Sequence, residues 1–149
     1  MKKFEFTLSK MLDYKVQVLD KEKNNLMQIN IQLEKFISKI ERMEEEFTLL
    51  SSKLKEETQQ GITVLGMQCY DFQLKCIRRQ LEQMSKERAA LETQAEKQLQ
   101  VVIKASQEVS GLDKLQEKQL DKYNYEVKIA EELFIAEMIA SKLIRQKHA

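Results

Sequence analysis

Leu12, Leu19, Leu26, Leu33, Ile40, Phe47 and Leu54 stand at intervals of seven along the first part of the chain. Ile29, Phe36, Met43 and Leu50 each follow a member of that set by three. Apolar side chains alternating at three and four residues form a narrow stripe on a helix, and the stripe is hidden only when another helix packs along it. A chain built on such a stripe folds as long paired helices. It has no concave interior in which to assemble an active site, so its function must be sought along its surface and at its ends.

Composition points the same way. Among 149 residues there is no proline or tryptophan and there are only three glycines, while 33% are charged. Such a chain falls in the long-helix and coiled-coil class. The net charge of +1 supplies no basic field to displace counterions from phosphates, so nucleic acid is not an expected partner. Cys69 and Cys76 lie seven apart in one helix, which separates their Cα atoms by roughly 10 Å. That exceeds the ~7 Å limit for a disulfide, and free thiols suit a reducing compartment. Met1-Lys2-Lys3 begins like a signal peptide, but Glu5, Ser9, Lys10 and Asp13 interrupt any apolar core. No run approaches the roughly 18 apolar residues that cross a bilayer. A cytoplasmic address without direct membrane insertion is expected.

The chain reads as a single coiled-coil hairpin over residues 1–149, with helix one over about 8–58, a turn over about 59–66 and helix two over about 67–146. The seam of helix one is unbroken from Leu26 to Leu54 and weaker toward the N-terminus, where Lys15 and Glu22 occupy seam positions. Gly61 and Gly66 flank a β-branched cluster and mark the connection, since glycine costs about 1 kcal/mol against alanine in a helix interior. The second seam reads Leu74, Ile77, Leu81, Met84, Leu91, Ala95, Val102, Ala105, Val109 and Leu112, with Arg88 and Gln98 as polar interruptions. A register slip is expected near Gly111, after which Leu120, Tyr123, Val127, Ala130, Phe134 and Met138 take over. The fold class is therefore all-α, an antiparallel two-helix hairpin whose second helix is the longer. With the turn near 62–65, Phe4 falls opposite residues 120–127. The last 20 to 25 residues then extend past the first helix by roughly 35 Å at 1.5 Å per residue.

Two surfaces stand out. The overhanging end contains Val127, Leu133, Phe134, Ile135, Met138, Ile139, Leu143 and Ile144, whereas a helix alone in water should be polar nearly all round. Either the N-terminal Phe4, Phe6 and Leu8 fold over it, or the chain dimerises there, or it inserts into a partner; insertion is the favoured reading. Near the turn, Cys69, Phe72 and Cys76 form a stripe off the seam, bordered by Tyr70, Arg78 and Arg79. Here either Ile62, Val64 and Leu65 close a small satellite core over the stripe, or Phe72 anchors a protein partner with arginine at the rim. Chemistry has no candidate. His148 is the lone histidine at the end of the chain, and no phosphate loop, metal-ligand spacing or nucleophile motif is present. No cofactor and no enzymatic activity are expected.

The two ends together resemble the flagellar FliJ family of the type III protein export apparatus. Phe4-Glu5-Phe6-Thr7-Leu8, continued by Met11-Leu12 and Lys15, is similar to that family's opening F-x-F-x-L with a following leucine and basic residue. Leu112-Asp113-Lys114-Leu115-Gln116-Glu117-Lys118 with Tyr123, Glu126, Glu131 and Glu132 resembles its L-x-x-L-x-E-K-x-x-x-x-Y segment. Lys15 stands where the family often has arginine, and Leu133-Phe134-Ile135-Ala136-Glu137 replaces a Leu-Asp-Glu-like phrase. The resemblance implies a non-catalytic export component like the stalk subunit of rotary ATPases, peripherally associated with the membrane apparatus. One end would enter the hexameric ring of the export ATPase, carried here by Phe4, Phe6, Leu8, Leu12, Lys15, Tyr123, Val127, Phe134 and Met138. Another surface would meet the cytoplasmic domain of the export gate, for which Cys69, Phe72, Cys76 and Arg79 are the candidate strip. Export substrates or their chaperones would be further partners. A virulence injectisome stalk and a purely structural homodimerising coiled coil are the alternatives.

Overall fold

The computed structural model describes residues 2–148. It contains two α-helices, α1 (Ser9–Gln60) and the longer α2 (Val64–Lys147), packed against each other, with no strand among the described residues. They group into two compact units, one of Met1–Asp20 with Lys104–Ala149 and one of Lys21–Ile103.

Burial along α1 follows the three–four stripe without a break. Leu8 just before the helix, then Leu12, Lys15, Leu19, Glu22, Leu26, Ile29, Leu33, Phe36, Ile40, Met43, Phe47, Leu50 and Leu54 are each buried or half-buried. Along α2 the matching stripe runs through Leu74, Ile77, Leu81, Met84, Arg88, Leu91, Ala95, Gln98, Val102, Ala105, Val109 and Leu112. One helix laid along another covers only one side of each seam residue. Phe6, Leu19, Ile40 and Ala105 are accordingly the only described hydrophobics that reach the buried class.

The polar members of the seam are paired. In the unit formed by both chain ends, Lys15 Nζ donates to Glu108 Oε2 at 2.8 Å. In the other unit Gln98 Nε2 donates to the Glu22 carbonyl at 3.1 Å and also to the Glu22 carboxylate. Arg88 Nε instead bonds along its own helix to Glu92, at 3.0 Å. Polar pairs inside an apolar seam cost some stability but single out one register, since a shift would leave them facing hydrocarbon.

The connection is tighter than the expected 59–66. Helix α1 continues through Gln60, and the chain turns over residues 61–63, with Gly61 at φ 104° in the region that side chains disfavour. Thr63 then caps α2, its Oγ1 accepting the Gly66 N–H at 3.1 Å. Gly66 is thus inside the first turn of α2 and serves close approach: an added Cβ would lie 3.0 Å from Ile62 Cγ1.

The register slip expected near Gly111 is also corrected. The stripe passes Gly111 undisturbed through Leu112, Gln116, Gln119 and Tyr123, and Leu120 stays 39% exposed. The extra residue enters only between Tyr123 and Val127. Polar Gln116 and Gln119 hid the continuing seam, because an apolar count passes over glutamines and settles on Leu120.

Two glycine substitutions should act with opposite signs. Gly61→Ala imposes the left-handed penalty of about 1–2 kcal/mol and should lower stability in denaturant unfolding. Gly111→Ala, whose added methyl meets nothing within 4 Å, should gain up to about 1 kcal/mol of helix propensity.

Candidate functional site

The unit formed by both chain ends holds the first candidate surface. The segment before α1 is not helical and lies against α2. Phe4 packs its ring against Tyr123 at 5.6 Å between centroids, and the Tyr123 hydroxyl donates to the Lys2 carbonyl. Phe6 is buried, and Leu8 and Leu12 are half-buried on the seam. Phe4, Phe6 and Leu8 therefore cover α2 as far as Tyr123, with Val127 still half-buried. Every described residue from Lys128 onward is exposed. Phe134 is 63%, Leu133 60% and Met138 53% open to solvent, where a large apolar side chain is stabilised by cover. Val127, Ala130, Glu131, Phe134 and Ile135 shape a shallow groove on this bare helix.

The nine residues expected at this end thus divide into two sets. Phe4, Phe6, Leu8, Leu12, Lys15 and Tyr123 are engaged inside the chain. Phe134 and Met138 are free, with Val127 at the boundary. Glu108, the partner of Lys15, was not among the expected residues; the signal for it was a lysine on the seam, which requires an acid beside it.

Lys15 and Glu108 tune each other. The hydrogen bond between them, and then their charge attraction, hold the Lys15 ammonium above its ordinary pKa and the Glu108 carboxyl below its own.

The second candidate surface lies near the start of α2. Val64 and Leu65 are 73% and 71% exposed, so they close no satellite core over the stripe, though Ile62 is half-buried over Gly66. Phe72 is 69% exposed, Cys69 and Arg79 are exposed, and Cys76 is half-buried. The bordering residues are tied to α1 instead. Arg78 sets its guanidinium 5.6 Å from the centre of the Phe47 ring, a cation–π contact. A hydrogen bond to the Glu57 carboxylate, more than burial, raises the Tyr70 hydroxyl above the ordinary phenol pKa. Cys69, Phe72 and Arg79 therefore project as an open strip beside a braced one. Neither surface presents a group of acidic, histidine or cysteine side chains that could hold a metal, and none occurs among the described residues.

The chain matches the family described as "Flagellar FliJ protein" over residues 4–148. It belongs to the FliJ family. The match spans both end motifs and everything between them, and it makes the chain a component of the flagellar export apparatus, of the structural kind. No match is found among curated proteins or among solved structures. No described helix is long and apolar enough to cross a membrane.

The Lys15–Glu108 pair makes a signed prediction. A lowered carboxyl pKa contributes stability that is full above the ordinary carboxylate range and lost as pH falls through the lowered value. A raised ammonium pKa contributes stability lost only as pH rises through the alkaline range. Wild type should therefore exceed Glu108→Gln in Tm most at neutral pH. The difference should vanish in acid, as read by thermal unfolding across pH.

Proposed function

We propose that this FliJ-family chain is a non-catalytic, stalk-like activator of the export ATPase, and that the bare end of α2 is the part that enters the ATPase ring. One observation carries the reading: the cover of α2 ends by Val127, while large apolar side chains continue from there to Ile144 on a stretch where every described residue from Lys128 onward is exposed. Burying a side chain such as Phe134 or Met138 in a partner is worth about 1.5–3 kcal/mol each, so a few such contacts suffice for specific docking. Phe4, Phe6, Leu8 and Leu12, with the Lys15–Glu108 pair and Tyr123, act as the collar that holds the docking helix in place. Val127, Phe134 and Met138 make the contacts.

A single asymmetric helix in a six-fold ring makes its subunits inequivalent. By touching several at once it favours the assembled ring, and it accelerates turnover only through its preference for some ring states over others. The open strip of Cys69, Phe72 and Arg79, with Cys76 behind it, is the surface proposed to meet the cytoplasmic domain of the export gate. Contacts with export substrates or their chaperones complete the role. The proposed role implies a cytoplasmic protein attached peripherally to the membrane apparatus. Family membership favours the flagellar system over an injectisome.

The test is phosphate release by the cognate export ATPase with and without the chain. Phe134→Asp, or truncation after Tyr123, should return turnover to the unstimulated rate while the remaining helices keep their circular dichroism. Stimulation at the wild-type level by the truncated chain would refute the assignment.

A further inference from the structure

We infer that the side of the hairpin carrying Lys35, Lys39 and Arg42 receives an acidic amphipathic helix from another protein, laid along the groove between α1 and α2. Those three cations are exposed at the edge of a groove whose apolar part is Phe36 of α1 and Leu91 of α2, both half-buried. The remaining lining residues, Gln32 and Ser38, are neutral. None of the three cations is ion-paired among the described residues.

The helical repeat puts all three on one flank. Lys35 and Arg42 stand seven apart, and Lys39 lies one turn beyond Lys35. The acids of the same stretch of α1 face elsewhere. Glu41, Glu44 and Glu45 line a separate surface with Thr48 and Leu49, which shares no residue with the basic groove. Glu34 repeats Glu41 one heptad earlier. Toward the connection, Phe36, Lys39 and Arg42 also border a stretch holding Met43 and Met84, where Glu46 and Glu87 add acids. The excess of cations is therefore confined to the stretch around Phe36 and Leu91.

Lys35 to Arg42 spans about 10 Å at 1.5 Å per residue. Cations set that closely around apolar side chains are complementary to a short ligand bearing carboxylates and apolar groups together. An α-helix offers both when apolar residues recur at three and four and Asp or Glu flank them. A third helix in this groove also covers the side of the seam that α1 and α2 leave open to solvent. A nucleic acid fits less well. A polyanion longer than the patch meets Glu46 and Glu87, and a net charge of +1 supplies little counterion release. A second copy of this chain would bring its acids from the Glu41–Glu45 surface or from the bare end of α2, both apart from the groove. Such a contact is head-to-tail and lacks the self-complementarity of a two-fold dimer. Docking over so short a patch is weak and salt-sensitive.

The experiment is fluorescence anisotropy of a labelled, designed helix titrated with the full chain. The probe carries leucine at alternating three and four spacing with glutamate at the flanking positions, and a second probe carries lysine in place of glutamate. The glutamate probe should bind saturably, and more tightly than the lysine probe by about tenfold or more. Raising salt from ~0.05 to ~0.5 M should weaken it several-fold. Lys35→Glu/Lys39→Glu/Arg42→Glu should weaken it about tenfold or more, whereas Lys10→Glu/Lys23→Glu/Lys86→Glu, with the same change in net charge, should stay within about twofold of wild type. Circular dichroism checks that both variants keep their helices. A photoreactive version of the probe should crosslink to residues 32–46 and 80–91. Equal affinity for the two probes, equal loss in the two variants, or crosslinks centred on the bare end of α2 would each overturn the inference. So would self-association of the chain alone that disappears in Lys35→Glu/Lys39→Glu/Arg42→Glu, since the groove would then belong to a second copy. None of these readouts involves the ATPase, so their failure would be distinct from failure of the stalk assignment.

Discussion

The pairing of two helices along one narrow seam is the constraint from which the other features follow. A helix lying on a single neighbour can hide only a stripe of its surface, so nearly every seam residue stays partly open and near-complete burial is reached at only a few points, such as Leu19, Ile40 and Ala105. Stability is then distributed along the seam in small increments instead of residing in a core. A seam of interchangeable leucines would tolerate sliding by a heptad. Lys15 with Glu108 and Glu22 with Gln98 remove that freedom, because each polar group finds its partner in one alignment only.

Unequal arm length leaves an apolar surface uncovered. The N-terminal segment extends the cover of α2 to Tyr123, where a ring contact and a hydrogen bond to the Lys2 carbonyl end it. Past that boundary α2 keeps its apolar residues but has no neighbour. An isolated helix of this length is marginal in water, and its persistence here depends on the continuous backbone of α2 feeding into it. Regions of this kind sit at the low-stability end of a protein. They are suited to being ordered by a partner, which is the role proposed above for the export ATPase ring.

Much of this was legible from residues alone. The heptad leucines placed α1 and its buried face, and counting back from the connector put Phe4 opposite the region of Tyr123. The bare apolar end followed from the same count. What could not be read depended on particular side-chain geometry. Gly66 resembled a second turn residue, but its role is to admit Ile62 against the cap made by Thr63. The seam beyond Gly111 was obscured because glutamines at 116 and 119 occupy its positions while Leu120 points away. Near the connector, apolar Val64 and Leu65 suggested a small closed cluster, yet a helix that begins at Val64 aims both outward. Periodicity identifies a face; it does not reveal which polar residues that face will accept.

The claim that cover on α2 ends at Tyr123 is tested most directly by residue-resolved hydrogen exchange on the dilute chain. The account predicts slow amide exchange along the seam through Ala105 and Leu112, falling steeply past Tyr123 so that residues from Lys128 onward exchange far faster. Uniform protection of α2 through Ile144 under the same dilute conditions would contradict it.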